Sequence, residues 1–547
     1  MRKKTTHQGL TVQAIAGTYV VLLGFNMDEA DCEGLLGFAI HRTDRTEEEA
    51  YWLRGQKTFV ETDPGLPPGA QHSTREQPIQ GFTWSDFSAK PGHDYTYRVL
   101  ALKGTPRDLQ PVAEVSVRVQ TESPEGATHD IYFNRGAAAS QEYARRFENK
   151  KPSEKGPPAF KWLSRGLYES MTDFIAQASG PEFGLRVCAY EFHYRPVLEV
   201  LREAKRRGVS VRIVYDRRKD KPGKKNDEVV DAVGIKSLCI RRTSNPSAIS
   251  HNKFIVLLKD GQPQAVLTGG TNFSEGGIFG HSNAVHIVEE PDIADAYLRY
   301  WDLLADDPES AGLRPILSEE YRLPENKPPK GTGAVFSPRD NLDALKWYAA
   351  LAAGAKDGLF MTFAFGIHAV FQDVYRTSQA GMRFALLEKA TRPMKKGPER
   401  NAEEAKIRKL RALPENRFAI GAHLVMNSFD RWLAEKVSGL NTNVQYVHTK
   451  YMLIDPLGPD PIVIAGSANF SEASTKKNDE NMLVIRGNKR VAEIYLGEFM
   501  RLYRHYAFRE WVSRNPGKSP KPLETGDWWK KYFGDTEQSR QREYFVG

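Results

Sequence analysis

Hydrophobic and polar positions follow two different rhythms along the chain. From about residue 10 to 122, short β-branched and aromatic runs (TYVVLLGF, GLLGFAIHR, KTFVE, FTWSDF, YTYRVLAL, VAEVSVRVQ) alternate with turn residues. That rhythm predicts an all-β sandwich. After the linker Glu122–Thr128 (ESPEGAT), strands alternate with amphipathic helices. Leu185–Glu191, Ser210–Asp216 and Ile235–Arg241 read as strands and Arg195–Arg207 as a helix, a βαβ order that predicts a largely parallel sheet. A Pro- and Lys-rich stretch, Leu323–Gly333, precedes a second such body in which Gly358–Phe365 and Arg383–Leu387 are strands. The expected architecture is α/β: two similar lobes with a mixed or parallel sheet each, over 125–328 and 329–547, behind a β-sandwich over 1–124.

Length and composition narrow the class. The 547 residues suffice for several cores, and 40% hydrophobic with 27% charged residues is ordinary globular composition, which excludes collagen, mucin and coiled coil. The net charge of +8 mildly favours polyanionic partners. Cys32, Cys188 and Cys239 are too few and scattered for a disulfide framework or a zinc site, so they read as small buried hydrophobes in a reducing, cytoplasmic compartment. No run of about 18 apolar residues predicts a transmembrane helix.

The chemistry lies in an ungapped internal repeat at an offset of 197 residues. The first copy runs from His251-Asn252-Lys253 through Gly261 to Gly269-Gly270-Thr271-Asn272-Phe273-Ser274-Glu275. The second runs from His448-Thr449-Lys450 through Gly458 to Gly466-Ser467-Ala468-Asn469-Phe470-Ser471-Glu472, and Asn283 lies over Glu480 in the same register. His and Lys two apart at the head of an apolar strand emerge on one face. A Gly-containing loop then admits backbone amides to an anion, and the following Asn adds a neutral donor. Two imidazoles, two ammonium groups and two amides suit a phosphodiester, with one His attacking and the other protonating the departing oxygen.

HxKx4D, GSxN and Asn478-x-Glu480 together resemble the pattern of the phospholipase D superfamily. The second copy carries it whole, in His448, Lys450, Asp455, Gly466, Ser467, Asn469, Asn478 and Glu480; in the first, Leu258 replaces Asp, Gly270 replaces Ser and Asn283 replaces Glu. The resemblance implies paired α/β lobes, one site at their interface, a phosphohistidine intermediate, and no cofactor or metal. Carried onto this chain, His251 attacks and His448 is the acid. Lys253, Lys450, Asn272, Asn469 and Ser467 hold the phosphate, Asp455 and Glu480 support His448, and Asn283 orients His251. Likewise Pro91–Ala101 resembles the penultimate strand of a fibronectin type III domain, which implies a corner tyrosine bonded to the backbone and a module for a protein partner.

Substrate choice rests on charge. Arg217, Arg218, Lys219, Lys221, Lys224 and Lys225 crowd the loop after Asp216. Strand offsets leave a surplus of about 22 residues before the second HxK (197 for His448 over His251, 175 for Ala364 over Ala189), assigned to a basic helix with Lys406, Arg408, Lys409 and Arg411. Both clusters flanking the cleft would suit a nucleic-acid strand, DNA or RNA, hence a nuclease. The alternatives are a lipid-headgroup phospholipase D or phosphatidyltransferase, for which Trp528, Trp529 and Tyr532 offer an interfacial patch, and a weakened phosphate-binding scaffold.

Overall fold

The computed structural model of the chain describes all residues except 67–69, 137–139, 219–221, 392–394, 396, 422–446 and 516–520. It divides into two compact units, one comprising residues 1–124, 492–501 and 511–547, the other 125–491 and 502–510. The first holds the expected sandwich over 1–124 and adds residues 492–501 and 511–547, which the sequence pattern assigns to the second lobe. Strands β1 (Arg2–His7), β2 (Leu10–Ala16), β3 (Val21–Asn26), β4 (Gly37–Asp44), β5 (Glu49–Trp52), β6 (Thr83–Asp86), β7 (Asp94–Thr105) and β8 (Asp108–Gln120) form antiparallel sheets ordered β1-β2-β3-β6 and β8-β7-β4-β5. The Tyr95 hydroxyl accepts the Lys90 backbone N–H at 2.9 Å, the bond expected of a corner tyrosine. Trp528 and Trp529 are buried in this sandwich core, where the Trp528 ring N–H donates to the Leu35 carbonyl. They present no interfacial patch.

The second unit holds two lobes with one topology. Lobe 1 contains β9 (His129–Phe133), β10 (Phe183–Ala189), β11 (Ser210–Asp216), β12 (Cys239–Arg242), β13 (Lys253–Lys259), β14 (Gln262–Gly269) and β15 (Ala284–Val288), in the order β9-β15-β14-β13-β10-β11-β12. Lobe 2 repeats it as β16-β22-β21-β20-β17-β18-β19, from β16 (Gly331–Ser337), β17 (Gly358–Phe363), β18 (Met382–Leu387), β19 (Asn416–Ile420), β20 (Tyr451–Ile454), β21 (Ile462–Gly466) and β22 (Glu480–Arg486). The sheets are mixed rather than largely parallel: only β10-β11-β12 and β17-β18-β19 run parallel. The physical reason is the turn after the HxK strand. Asp260 and Gly261, both at positive φ, close a two-residue hairpin, and a connection that short can only return antiparallel.

Helices α1 (Arg195–Arg206) and α2 (Gly223–Val233) make the crossovers between the parallel strands of lobe 1. In α1 the apolar positions Val197, Leu198, Leu201 and Ala204 fall on one buried face. Helix α3 (Pro291–Ala305) packs on the lobe 1 sheet, its Trp301 donating to the Val187 carbonyl, while Tyr300 stacks on Phe336 of lobe 2. The lobes are also stitched by two bridges, Ser250 to Asp479 and Ser282 to Val447, themselves related by the 197-residue offset. The α4 helix (Pro398–Arg411) is the lobe 2 counterpart of α2 and not the surplus segment. Eight residues separate Arg242 from His251, whereas 27 separate Ile420 from His448, so most of the surplus falls there, largely in residues 422–446 outside the described set.

Candidate active site

The strands that carry the two HxK triplets end where the bridges join the lobes, and this brings the imidazoles of His251 and His448 to 6.5 Å between ring centroids. Their supporting partners are exchanged. Glu480 of lobe 2 receives Nδ1 of His251 at 2.8 Å, and Asn283 of lobe 1 receives Nδ1 of His448 through its Oδ1 at 2.9 Å. This corrects the assignment of Glu480 to His448 and of Asn283 to His251. The cause is the bridge between Ser250 and Asp479: it lays the residue before Glu480 beside the residue before His251. The Asn283 amide is held in this sense because its Nδ2 donates to the Gly277 carbonyl. A side chain at Gly270, where the second copy has Ser467, would crowd Asn283 Oδ1 at 3.2 Å.

Both lysines are buried and point back along their strands, each ammonium donating to the carbonyl of its own histidine, Lys253 to His251 and Lys450 to His448. Burial shifts both downward, Lys253 to about 7 against the pull of Glu480 and Glu191, and the charge of Lys253 adds to the lowering of Lys450. Burial, followed by the charge of Lys253 and Lys450, holds His251 well below the ordinary histidine range; burial and then Lys450 do the same to His448. Both rings are therefore held neutral by their protein surroundings. Burial lifts Glu480 to about 7 against the pull of Lys253. Buried Asn272 and Asn469 each leave Oδ1 without a partner among the described residues, so the pocket is polar and incompletely satisfied from within them. Ser467 bonds reciprocally with Asn481 across β21 and β22, its N–H donating at 2.9 Å, and so anchors the loop beneath Glu480.

Three groups at the site were not found in the sequence. Glu191, buried, takes the Ser274 hydroxyl at 2.6 Å. Tyr190 lies against His251 at 5.0 Å between centroids and under the Lys253 ammonium at 5.1 Å. His281 lies against His448 at 5.2 Å. None has an identical counterpart in the aligned second copy: His281 lies over Asn478 at offset 197, and Tyr190 and Glu191 lie over Phe365 and Gly366 at the offset of 175 that holds for that strand.

Asp455 is not at the site. Seven residues beyond His448, about 20 Å along a strand, its carboxylate accepts the backbone N–H groups of Lys356, Asp357 and Gly358 at 2.8–3.0 Å. Leu258 occupies the same far end in the first copy, so the missing carboxylate there costs the site nothing. Of the basic residues, Arg218 reaches the site: it acts on Tyr190 and adds to the field on His251, while its Nε lies 3.5 Å from the Asp216 carboxylate. Arg217 is instead paired with Asp227, because the α2 carboxylate lies directly across from it. Lys219 lies outside the described residues. Lys406 and Lys409 are exposed in the last turns of α4, which leads to Asn416 at the sheet end opposite the histidines, so they do not flank the cleft.

The family described as "Cardiolipin synthase, PLD-like domain" matches residues 171–304 and 353–503, just over half of the chain. No curated protein matches this sequence. Solved structures match parts of the chain at low identity. Phosphatidylserine synthase of Haemophilus influenzae is 13% identical over 62% of this chain and 84% of its own, with a TM-score of 0.40. Yeast tyrosyl-DNA phosphodiesterase is 11% identical over 59% and 88%, with a TM-score of 0.34. Polyphosphate kinase of Porphyromonas gingivalis is 13% identical over 60% of this chain, which spans only 46% of that enzyme, with a TM-score of 0.38.

Proposed function

Because the chain belongs to the phospholipase D-like family, we propose that it cleaves phosphodiesters through a phosphohistidine on His251, and that its substrate is a nucleic-acid strand. The observation that carries the chemistry is the pair of facing imidazoles with unlike partners. A carboxylate on Nδ1 fixes the His251 tautomer so that Nε2 presents a lone pair, and it stabilises the positive charge that grows on the ring as the N–P bond forms. The neutral Asn283 oxygen on the His448 ring offers no such stabilisation, which leaves a protonated His448 the stronger acid. The unlike partners thus support, on a different physical ground, the nucleophile and acid roles that the family resemblance implied.

In the first half-reaction His251 Nε2 attacks phosphorus, the P–O bond to the departing alcohol breaks, and His448 gives that oxygen its proton. In the second, water attacks the phosphohistidine, its proton passes to His448, the N–P bond breaks and the phosphate leaves. Since its protein surroundings hold His448 neutral, with its Nδ1 proton committed to Asn283, it gains the transferable proton when an anion enters. Lys253 and Lys450 neutralise the equatorial oxygens.

The nucleic-acid reading is supported by Arg218 beside the site and by the scarcity of lipid-docking surface. Among the described residues of the two-lobed unit, only Ile316 and Phe508 are large exposed hydrophobics. The test is turnover in EDTA of single-stranded DNA and RNA against phosphatidyl vesicles, with acid-labile 32P trapping on the wild type and on His251→Ala. Nucleic-acid cleavage with label on the wild type only is expected. Vesicle turnover alone would give the lipid reading its place, and unlabelled, inactive protein would leave a scaffold.

A further inference from the structure

His281 is the third imidazole of the pocket, and the nucleophile-and-acid scheme does not use it. It follows the buried turn Gly276–Gly280, and its backbone is fixed on both sides: its N–H donates to the Gly276 carbonyl at 2.9 Å, and its carbonyl accepts Asn134 Nδ2 at 2.6 Å. The neighbouring bridge, Ser282 to Val447, presses this segment against the residue before His448. The residue is 95% buried, yet neither Nδ1 nor Nε2 has a hydrogen-bond partner among the described residues. Leaving a buried polar atom unpaired costs about 1–3 kcal/mol, so two such atoms on one ring call for an explanation.

The internal repeat supplies a control. The residue related to His281 by the 197-residue offset is Asn478, whose Nδ2 donates to Glu480 at 3.2 Å and whose Oδ1 accepts the Ile249 N–H at 3.3 Å. In lobe 2 this position is fully engaged within the protein; in lobe 1 a larger ring stands there with both nitrogens open. The ring does not serve simply to hold the fold, and its difference from Asn478 falls on the acid side of the pocket, next to His448.

We infer that His281 is a substrate-contacting residue, whose ring nitrogens hydrogen-bond a hydroxyl-bearing leaving group, a sugar alcohol, on the His448 side. Burial and Lys450 keep the ring neutral at any working pH, so it offers one N–H and one lone pair. An anionic phosphoryl oxygen would satisfy the N–H and repel the lone pair, and the lysines already serve those oxygens. The two nitrogens point apart, so a group with more than one hydroxyl fits: one accepts the N–H and another donates to the lone pair. The inference rests on the phosphohistidine reading and adds the class of alcohol that departs.

The experiment compares two esters of thymidine 5′-phosphate, the p-nitrophenyl ester, whose leaving group carries no hydroxyl and needs no proton, and the dinucleotide. His281→Asn installs the residue found at the related position, and His281→Phe keeps the ring without its nitrogens. Both variants should lower dinucleotide kcat by about 10- to 100-fold, the loss of one or two such bonds, and leave p-nitrophenyl ester turnover within about twofold, which also reports an intact pocket. Equal losses on both esters would make His281 a mere support of His448 and overturn the inference, as would no loss on either. His251→Ala separates this from the underlying reading: retained turnover in that variant, or none of either ester by the wild type, sinks the phosphohistidine scheme itself.

Discussion

Glu480 of the second lobe hydrogen-bonds the nucleophilic ring of the first, its Oε2 2.8 Å from His251 Nδ1. A carboxyl lifted to about 7 by burial is protonated below that pH and can no longer accept the Nδ1 proton. The kcat/KM of the wild type should therefore fall as pH drops below about 7. Glu480→Gln should cost about a hundredfold or more at neutral pH and flatten the acid limb. A pH–rate profile of both proteins checks this.

On the alkaline side the sign reverses. Lys253, lowered to about 7, loses its proton above that pH in the empty pocket, and burial holds His448 neutral. A phosphate anion favours the charged forms, so its binding at pH 7.5 should draw protons from solution. Calorimetry of inorganic phosphate binding in buffers of differing ionisation enthalpy should show net uptake; proton release would contradict the charge arrangement described.

Arg242 and Asp479 form an ion pair between the lobes with both side chains only 3% exposed, at 3.0 Å. Removing Asp479 leaves the buried Arg242 with only Asp307, at 2.8 Å, as its carboxylate partner, a loss toward the lower end of the about 3–5 kcal/mol that breaking a buried pair costs. Asp479→Ala should lower the denaturant midpoint of the two-lobed unit markedly, and activity should fall with it because Asp479 precedes Glu480.

Asp455→Ala should behave differently. It removes the acceptor of three backbone N–H groups at the start of β17, a loss of about 1–3 kcal/mol, while kcat per folded molecule stays unchanged. Thermal melting combined with active-site titration distinguishes this from a catalytic role.

Arg218→Ala should raise KM for a nucleic-acid strand and reduce the slope of log binding against log salt by about one phosphate contact. Arg217→Ala, which breaks a pair with Asp227, should leave that slope alone.

Much of this was legible in the sequence. His and Lys two apart, repeated with their Asn at one offset, fixed the paired lobes and the residues that meet between them. What could not be read was which partner serves which ring. Glu480 follows His448 by 32 residues and His251 by 229, and only the bridge between Ser250 and Asp479 reverses that proximity. Asp455 shows the opposite limit: it belongs to the motif by spacing, but seven residues of extended strand carry it out of reach. His281 escaped because a search for repetition passes over a residue whose counterpart is Asn478. The surplus before His448 was measured correctly as a total, but offsets between landmarks do not say on which side of a helix it falls.

The exchanged partners have a consequence for how such a protein can be divided. Neither half could be expressed alone as a weakened enzyme, since each would own an imidazole and lack the group that orients it. Two separately produced halves would regain turnover only on reassociation, so the rate of recovered cleavage would report the docking of one half on the other, with the chemistry itself as the reporter of assembly.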